Sequence, residues 1–352
     1  MRLGAFLASI VLSLVGVLGL NWWIDPLSDR YRGDVVDRAF AHRPACVVST
    51  KVVAESTWPA FKLDLFRRRR ASTVVAGTSR VWKMGARPGE RHFVNAALPG
   101  MSADSVPILF RRLDEMARAR RLVVYLGVEP FWFTAPGSSS SFAKASVRDR
   151  LRLLGAAETL RATLRELTAN PGQLVRPASR RDPKLVGSSG RCLLDDGDAI
   201  RRSSANAWKM DGTFLYSFEL NRSRPDRKDF LRAQFGRMRG SSLALEPLAR
   251  LREALAFARE RRWRVIGFTS PFSHETIARV EDDLGGARLL RLYREQLPRL
   301  FADYGYAYVD LSDGRSVRCG AGEFLIRDGA HANAACAARV RTLLDGLAAG
   351  SG

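Results

Sequence analysis

Cysteine is scarce in this chain, with four residues among 352. A density this low excludes a small protein whose fold depends on disulfides. Neither a Cys-x-x-Cys pair nor a cysteine–histidine cluster with zinc spacing occurs, so we expect no metal site. The sequence leaves open whether the cysteines are free buried thiols or form one of three pairings; they are Cys46, Cys192, Cys319 and Cys336.

Long apolar runs are also lacking, except for one that covers residues 3–24. This excludes a protein with several membrane spans, yet the one run is long enough to cross a hydrocarbon core of about 30 Å as a helix. Trp22 and Trp23 lie at its end, where indole rings favour the membrane interface. We predict a retained anchor, with the chain beyond it outside the cytoplasm. The alternative is a cleaved signal peptide, which the length of the run and the lack of an Ala-x-Ala-like site disfavour.

Acidic residues are outnumbered: 57 lysines and arginines face 36 aspartates and glutamates, so the formal net charge is +21. One explanation of this excess is that basic residues are scattered over ordinary solvent-exposed surfaces. The other is that they attract an anionic partner such as an acidic polysaccharide or lipid headgroups. Nucleic acid is disfavoured as a partner because the domain is expected outside the cytoplasm. The chain also lacks a Walker loop and a Gly-x-Gly-x-x-Gly run after a strand, so no cofactor is predicted.

Short runs of β-branched and aromatic residues alternate with amphipathic stretches along the chain. The short runs are almost continuously apolar, as in strands buried on both faces. They cover residues 73–76, 92–96, 122–127, 264–269 and 307–311, and helices are predicted at 102–118, 245–262, 289–304 and 332–347. This alternation predicts an α/β fold, a three-layer α/β/α sandwich with a mostly parallel five-stranded sheet.

The predicted organisation has three parts: an anchor at 1–24, a membrane-proximal linker and helix at 25–69, and the sheet domain at 70–349. Residues 135–245 interrupt the alternation with loops rich in serine and glycine, although a helix is predicted at 151–167. We interpret this segment as an insertion over one edge of the sheet that forms a lid or a substrate platform. Trp208 within it could stack on a sugar ring.

The first predicted strand is followed directly by Gly77, Thr78, Ser79 and Arg80. A glycine permits a tight turn, and a serine after it would lie at the carboxyl edge of the sheet, where α/β sites form. Free N–H groups of a helix that begins there could hold a developing oxyanion. Ser79 is therefore the predicted nucleophile, and Arg80 is a weaker candidate for contact with an anionic substrate.

A second candidate motif lies near the C-terminus, where Asp328 precedes His331 by three residues. A carboxylate at this spacing can lie on the same side of a turn as the imidazole. Asp328 could then orient the ring and stabilise its cation, which leaves the other ring nitrogen to deprotonate Ser79. The sequence therefore predicts a catalytic trio of Ser79, His331 and Asp328.

These motifs resemble the SGNH (GDSL-like) hydrolase superfamily over residues of about 70–135 and 262–345. In that family the nucleophilic serine follows the first strand, and Ser79 matches it, with Thr78 in place of the usual aspartate. The last family motif is Asp-x-x-His, as at Asp328 and His331. The chain is most similar to membrane-anchored bacterial branches associated with acylation of the cell envelope and exopolysaccharides.

The resemblance also implies an oxyanion hole. The run from Asn95 to Gly100 is similar to the family's second motif, which implies that the N–H groups of Gly100 and Ser79 bind the oxyanion. The third motif departs from the family pattern, because Glu129 stands where an asparagine donor is usual. Asn95 and Glu129 are kept as weak candidates for substrate contact.

The function implied by the resemblance is that of a serine esterase or O-acyltransferase acting on an envelope or secreted polysaccharide through an acyl-serine. It would be anchored in the bacterial inner membrane with its main domain in the periplasm. The implied partners are an acylated polysaccharide or acyl donor, the membrane and a membrane-bound acyltransferase. Loss of one oxyanion donor costs roughly 2.7–4 kcal/mol, so the alternative is a non-catalytic polysaccharide-binding or assembly protein on the same fold.

Overall fold

The structure is a computed structural model, and it describes residues 2–24, 34–41, 47–49, 55–117, 120–134, 157–169, 171, 206–215, 242–282, 285–325 and 329–350. In this part of the chain the strands are β1 (Val48–Ser49), β2 (Thr73–Ala76), β3 (Phe93–Asn95), β4 (Val123–Val128), β5 (Ala207–Trp208), β6 (Phe214–Leu215), β7 (Arg264–Thr269) and β8 (Ala307–Asp310).

Five of these strands form the main sheet, in the order β3-β2-β4-β7-β8, and all four pairings are parallel. This confirms the predicted α/β class and the mostly parallel five-stranded sheet. From β2 the chain adds β3 on one side of the sheet, and it then adds β4, β7 and β8 on the other side, so the direction of strand addition reverses at β2. The carboxyl ends of β2 and β4 therefore flank a topological switch point, the crevice where open α/β sheets bind their ligands.

The helices of the described residues are α1 (Arg2–Ile24), α2 (Asp34–Ala41), α3 (Trp58–Arg69), α4 (Ser105–Ala117), α5 (Ala157–Ala169), α6 (Leu245–Glu260), α7 (His274–Glu281), α8 (Ala287–Ala302) and α9 (Ala334–Gly350). In length and composition, α1 could cross a membrane, with a candidate span of Gly4–Trp23. Helix α4 begins at Ser105 rather than at the predicted Ser102. Pro107 then falls in the first turn, where its missing N–H needs no partner.

The hydrophobic core lies on both faces of the main sheet. Successive residues of a strand point to opposite faces, and the neighbours Val74 and Val75 on β2 are both completely buried. Helix α6 packs against α4 and β7, α8 packs against β8, and α9 packs against β7. Coverage of both faces explains why the strands are almost continuously apolar.

Strands β1, β5 and β6 form a small antiparallel sheet, in which β5 and β6 are a hairpin from the predicted insertion. Trp208 on β5 is completely buried, with ring centroids 5.1 Å from Trp58 and 5.4 Å from Trp82. Phe214 on β6 packs 4.5 Å from Trp208. Contrary to our expectation, Trp208 therefore presents no exposed face to a sugar, because other aromatic rings surround it.

Lys62 on α3 is completely buried beside these rings. Its ammonium lies 3.8 Å from the centroid of the Trp208 ring and donates to the carbonyl oxygens of Asn95 and Gly212, at 2.8 and 2.5 Å. Burial lowers the pKa of Lys62 well below its ordinary value, although the charge of Asp211 opposes this shift. Lys62 thus ties α3 to β3 and to the hairpin.

We expect the wild-type chain to gain stability relative to Lys62→Met as the pH rises from neutral toward about 10. Because the pKa of Lys62 is lowered in the folded protein, folded Lys62 gives up its proton at a lower pH than unfolded Lys62 does as the pH rises. The contribution of Lys62 is therefore largest at high pH and is lost as the pH falls through the lowered pKa. Urea unfolding of the full chain in detergent at several pH values measures this. Lys209→Met controls for loss of a lysine, and parallel profiles for wild type and Lys62→Met would contradict the prediction.

Candidate active site

The candidate site lies at the carboxyl edge of the main sheet. Ser79 follows β2, Glu129 follows β4 and Ser270 follows β7, while His331 comes from the loop that precedes α9. Parallel strands bring their carboxyl ends to one edge, so residues far apart in the sequence meet there. The switch point between β2 and β4 lies at the centre of this group.

The turn that carries Ser79 depends on close packing between the ends of β2 and β4. Gly77 has φ +147°, and a Cβ there would lie 3.0 Å from the Gly127 carbonyl oxygen and 3.1 Å from Cγ2 of Val81. A short 3₁₀ helix, Ser79–Val81, begins directly after this turn, and Oγ1 of Thr78 accepts from the Arg80 N–H at 3.3 Å to cap it. Ser79 is left half-buried at the start of this helix.

His331 lies against Ser79, although 252 positions separate them in the sequence. Nε2 of His331 is 2.9 Å from Oγ of Ser79. The imidazole is buried, with 7% of the residue exposed. In the tautomer with its proton on Nδ1, Nε2 accepts the serine hydroxyl proton, as a general base requires. Asp328 lies outside the described residues, so its role in orienting the ring stays a prediction.

The loop that carries His331 is held by backbone hydrogen bonds and by a disulfide. The Leu325 N–H donates to the His331 carbonyl at 2.9 Å, and the Ser273 N–H donates to the Gly329 carbonyl at 2.7 Å. Cys319 and Cys336 form a disulfide that closes the segment containing this loop. Of the cysteine pairings that the sequence leaves open, the structure therefore selects one that restrains the position of His331.

Arg80 and Glu129 form an ion pair beneath Ser79, with side chains 1% and 0% exposed. Oε1 of Glu129 also accepts from Oγ of Ser270 at 2.7 Å and from Oγ1 of Thr78 at 3.3 Å. Burial raises the pKa of Glu129, and the Arg80 charge partly offsets this shift. The expectation that Arg80 and Glu129 contact substrate is contradicted, because neither side chain reaches the surface.

Asn95 is also completely buried, and its side chain supports the nucleophile turn rather than facing a substrate. Nδ2 donates to the carbonyl oxygens of Val81 and Met84, at 2.7 and 2.9 Å, while Oδ1 accepts from the Ala97 N–H at 3.0 Å. The expected substrate contact by Asn95 is therefore replaced by a structural role, because each of its polar side-chain atoms already has a backbone partner.

Gly100 lies in an exposed turn next to the nucleophile turn. The Leu98 N–H donates to the Gly77 carbonyl at 3.1 Å, and the Met101 N–H donates to the Leu98 carbonyl at 3.3 Å. Gly100 has φ +64°, a conformation that favours glycine. Within the described residues, no hydrogen bond occupies the N–H of Gly100 or that of Ser79. Neither N–H group is therefore committed to an acceptor in this part of the chain.

Thr78 and Ser270 are the two hydroxyl donors to Glu129, a role that the sequence did not indicate for either residue. Ser270 follows a buried strand in the same way as Ser79 and Glu129, so the strand-end pattern could have identified it. No comparable pattern marks the contacts of Thr78, because they depend on a residue from another strand. No group of three histidine, cysteine, aspartate or glutamate residues in the described chain could hold a metal ion.

Comparison with protein-family models, with curated proteins and with solved structures finds no match for this chain. The geometry of the residues at the sheet edge is therefore the basis for any functional interpretation.

The Cys319→Ser/Cys336→Ser variant should lose about 3 kcal/mol of unfolding free energy, the typical effect of opening a loop of this size. The disulfide joins residues 17 positions apart, and the segment between them contains His331. Urea unfolding of the full chain in detergent measures the loss. Each single variant should lose about as much as the double variant, since either removes the bridge. A double variant as stable as the wild type would contradict the prediction.

Proposed function

We propose that this chain is a membrane-anchored, extracytoplasmic serine esterase or O-acyltransferase of the SGNH (GDSL-like) type, acting on a cell-envelope or secreted polysaccharide. The observation that carries the proposal is the 2.9 Å approach of Ser79 Oγ to His331 Nε2 at the carboxyl edge of a parallel sheet. A hydroxyl paired with an imidazole, together with backbone N–H groups that have no other acceptor, supplies the groups that acyl transfer requires.

The fold supports the proposed family. Parallel crossover connections are almost always right-handed, and this rule puts α4, α6 and α8 on one face of the sheet. The opposite face is then left for α9, which packs against β7. From this arrangement we infer the three-layer α/β/α sandwich that the sequence predicts.

The proposed reaction has two half-reactions. Ser79 Oγ attacks the carbonyl carbon of an acyl ester while His331 Nε2 takes the hydroxyl proton. The N–H groups of Ser79 and Gly100 stabilise the tetrahedral oxyanion. When it collapses, the ester bond breaks, the leaving alcohol takes the proton from His331, and the acyl group stays on Ser79. Asp328 would stabilise the imidazolium.

In the second half-reaction His331 deprotonates the acceptor, which attacks the acyl carbonyl and frees Ser79. Water as the acceptor makes the protein an esterase, whereas a sugar hydroxyl makes it an O-acyltransferase. Both outcomes use the same side chains. The net charge of +21 supports an acidic glycan as the substrate or product. A membrane-bound acyltransferase that supplies the acyl donor belongs to the same proposal.

A second candidate function, as a non-catalytic polysaccharide-binding or assembly protein, is favoured by Glu129. This residue stands where the family carries an asparagine donor, and it is buried against Arg80. A carboxylate only accepts hydrogen bonds and cannot stabilise an oxyanion. The site would then lack one donor, which slows acyl transfer by roughly a hundredfold or more.

The proposed location depends on α1. Most of its large apolar side chains are exposed; they include Phe6, Val11, Leu12, Leu14 and Val15. Asn21 near its end is completely buried and accepts from Oγ1 of Thr163 on α5 at 2.6 Å. A removable signal sequence would not supply a buried partner to the rest of the protein. This contact favours a retained anchor. We place that anchor in the inner membrane, with the main domain in the periplasm.

Ser79→Ala should abolish labelling of the full chain by a fluorophosphonate probe and lower kcat/KM for a chromogenic acetyl ester by roughly four orders of magnitude or more. The reason is that Ser79 forms the covalent intermediate. His331→Gln should have a comparable effect, because the base is lost. Labelling followed on gels, together with ester hydrolysis, provides the measurement.

Ser316→Ala is the matched control, since Ser316 also lies in a 3₁₀ helix, Gly314–Val317. It should leave labelling and hydrolysis unchanged. A wild-type protein that binds glycan but is never labelled would select the non-catalytic candidate. Hydrolysis that survives Ser79→Ala would remove Ser79 from the reaction.

The protein extracted from membranes should still contain residues 2–24, because Asn21 pairs with Thr163 inside the folded chain. The intact mass measures this directly. Protease added to spheroplasts should digest the main domain, because we place it outside the cytoplasm. A mature chain that starts after α1 would contradict retention, and a C-terminal tag protected from protease would contradict the orientation.

A further inference from the structure

The guanidinium of Arg80 lies at the junction of the segments that build the candidate site. It is almost completely buried, and its Cζ atom lies 3.4 Å from the centroid of the Phe272 ring. Its donors reach three other segments: Glu129 after β4, the carbonyls of Ser270 at 2.6 Å and Pro271 at 2.8 Å after β7, and the carbonyl of Ala330 at 3.2 Å before α9. One side chain thus connects β2, β4, β7 and the loop before α9.

Arg80 connects both members of the proposed nucleophile–base pair. It is the residue next to Ser79, and the carbonyl that its Nε holds belongs to Ala330, the residue next to His331. Any movement of the guanidinium would therefore change the separation of the hydroxyl and the imidazole. Only arginine offers five donors in a planar fork, so lysine could not reach all these acceptors at once.

Stability alone does not account for this arrangement. A buried ion pair is often no more stabilising than apolar residues of the same volume, because the desolvation cost offsets the attraction. Here the acceptors are arranged around one cation, and Glu129 is held in turn by Thr78 and Ser270. The geometry favours one placement of the surrounding segments.

We propose that Arg80, with its charge balanced by Glu129, is a positioning residue that sets the distance between Ser79 and His331 through the Ala330 carbonyl. The proposal rests on the proposed function, since it assigns Arg80 a part in the same reaction. Neither Arg80 nor Glu129 touches the reacting atoms. Their burial also means that neither binds the substrate.

The test compares Arg80→Gln and Arg80→Lys in the full chain in detergent. Misplacing a reacting group by about 1 Å costs roughly 10²-fold in rate. We expect kcat for a chromogenic acetyl ester to fall by about that factor in Arg80→Gln, with KM little changed. Arg80→Lys keeps a cation beside Glu129 but lacks the fork, so it should fold and recover only part of kcat.

A second measurement does not require activity. The imidazole signals of His331 in NMR spectra, assigned with His331→Gln, should shift or broaden in both Arg80 variants. If the wild type is never labelled by fluorophosphonate, the proposed function fails, yet these signals still test the positioning role. Unchanged His331 signals and unchanged kcat in Arg80→Lys would overturn the inference.

Arg341→Gln is the matched control. Arg341 on α9 is also a buried arginine, with Glu90 and Asp345 as partners and the Phe93 ring at 4.5 Å. Its loss should lower the melting temperature, but kcat of the folded protein and the His331 signals should stay as in the wild type. If Arg341→Gln lowered kcat as much as the Arg80 variants do, a general effect of lost stability would explain both, and the positioning role would be refuted.

Discussion

The candidate site depends on the close approach of β2 and β4 at their carboxyl ends. Because a Cβ on Gly77 would lie 3.0 Å from the Gly127 carbonyl oxygen, a side chain at position 77 would push the two strand ends apart. Val81, the last residue of the short helix that begins at Ser79, packs against both Gly77 and Gly127. The parallel arrangement then brings Glu129 and the loop of His331 to the same edge. The serine–imidazole pair is a consequence of this strand packing.

Two buried cations, Arg80 and Lys62, hold the segments around this edge. Burial of a charge is costly unless its hydrogen bonds are made, and both side chains donate to carbonyl oxygens from distant parts of the chain. Lys62 joins α3 to the Asn95 backbone, and the Asn95 side chain supports the turn after Ser79. Both side chains make these hydrogen bonds only when the segments are correctly placed, so the two cations favour a single arrangement of the site.

Glu129 stands where the family proposed for this chain carries an asparagine donor. An asparagine at this position could donate to an oxyanion, whereas Glu129 is committed to Arg80 and to two hydroxyl groups. In the proposed reaction, backbone N–H groups therefore stabilise the oxyanion. The Cys319–Cys336 disulfide agrees with a domain outside the cytoplasm, because disulfides persist in oxidising compartments.

The sequence by itself determined the five strands of the main sheet and the helices α4, α6, α8 and α9, because runs of buried β-branched residues and amphipathic periods are local patterns. It did not indicate the small sheet or α7. It also selected Ser79 and His331, since a serine after a buried strand and an aspartate three residues before a histidine are visible without a fold. Only the tertiary structure decided that the two meet, that Trp208 and Arg80 are buried, and that Cys319 pairs with Cys336. The physical reason is that burial and pairing depend on neighbours supplied by distant segments, which no local pattern encodes.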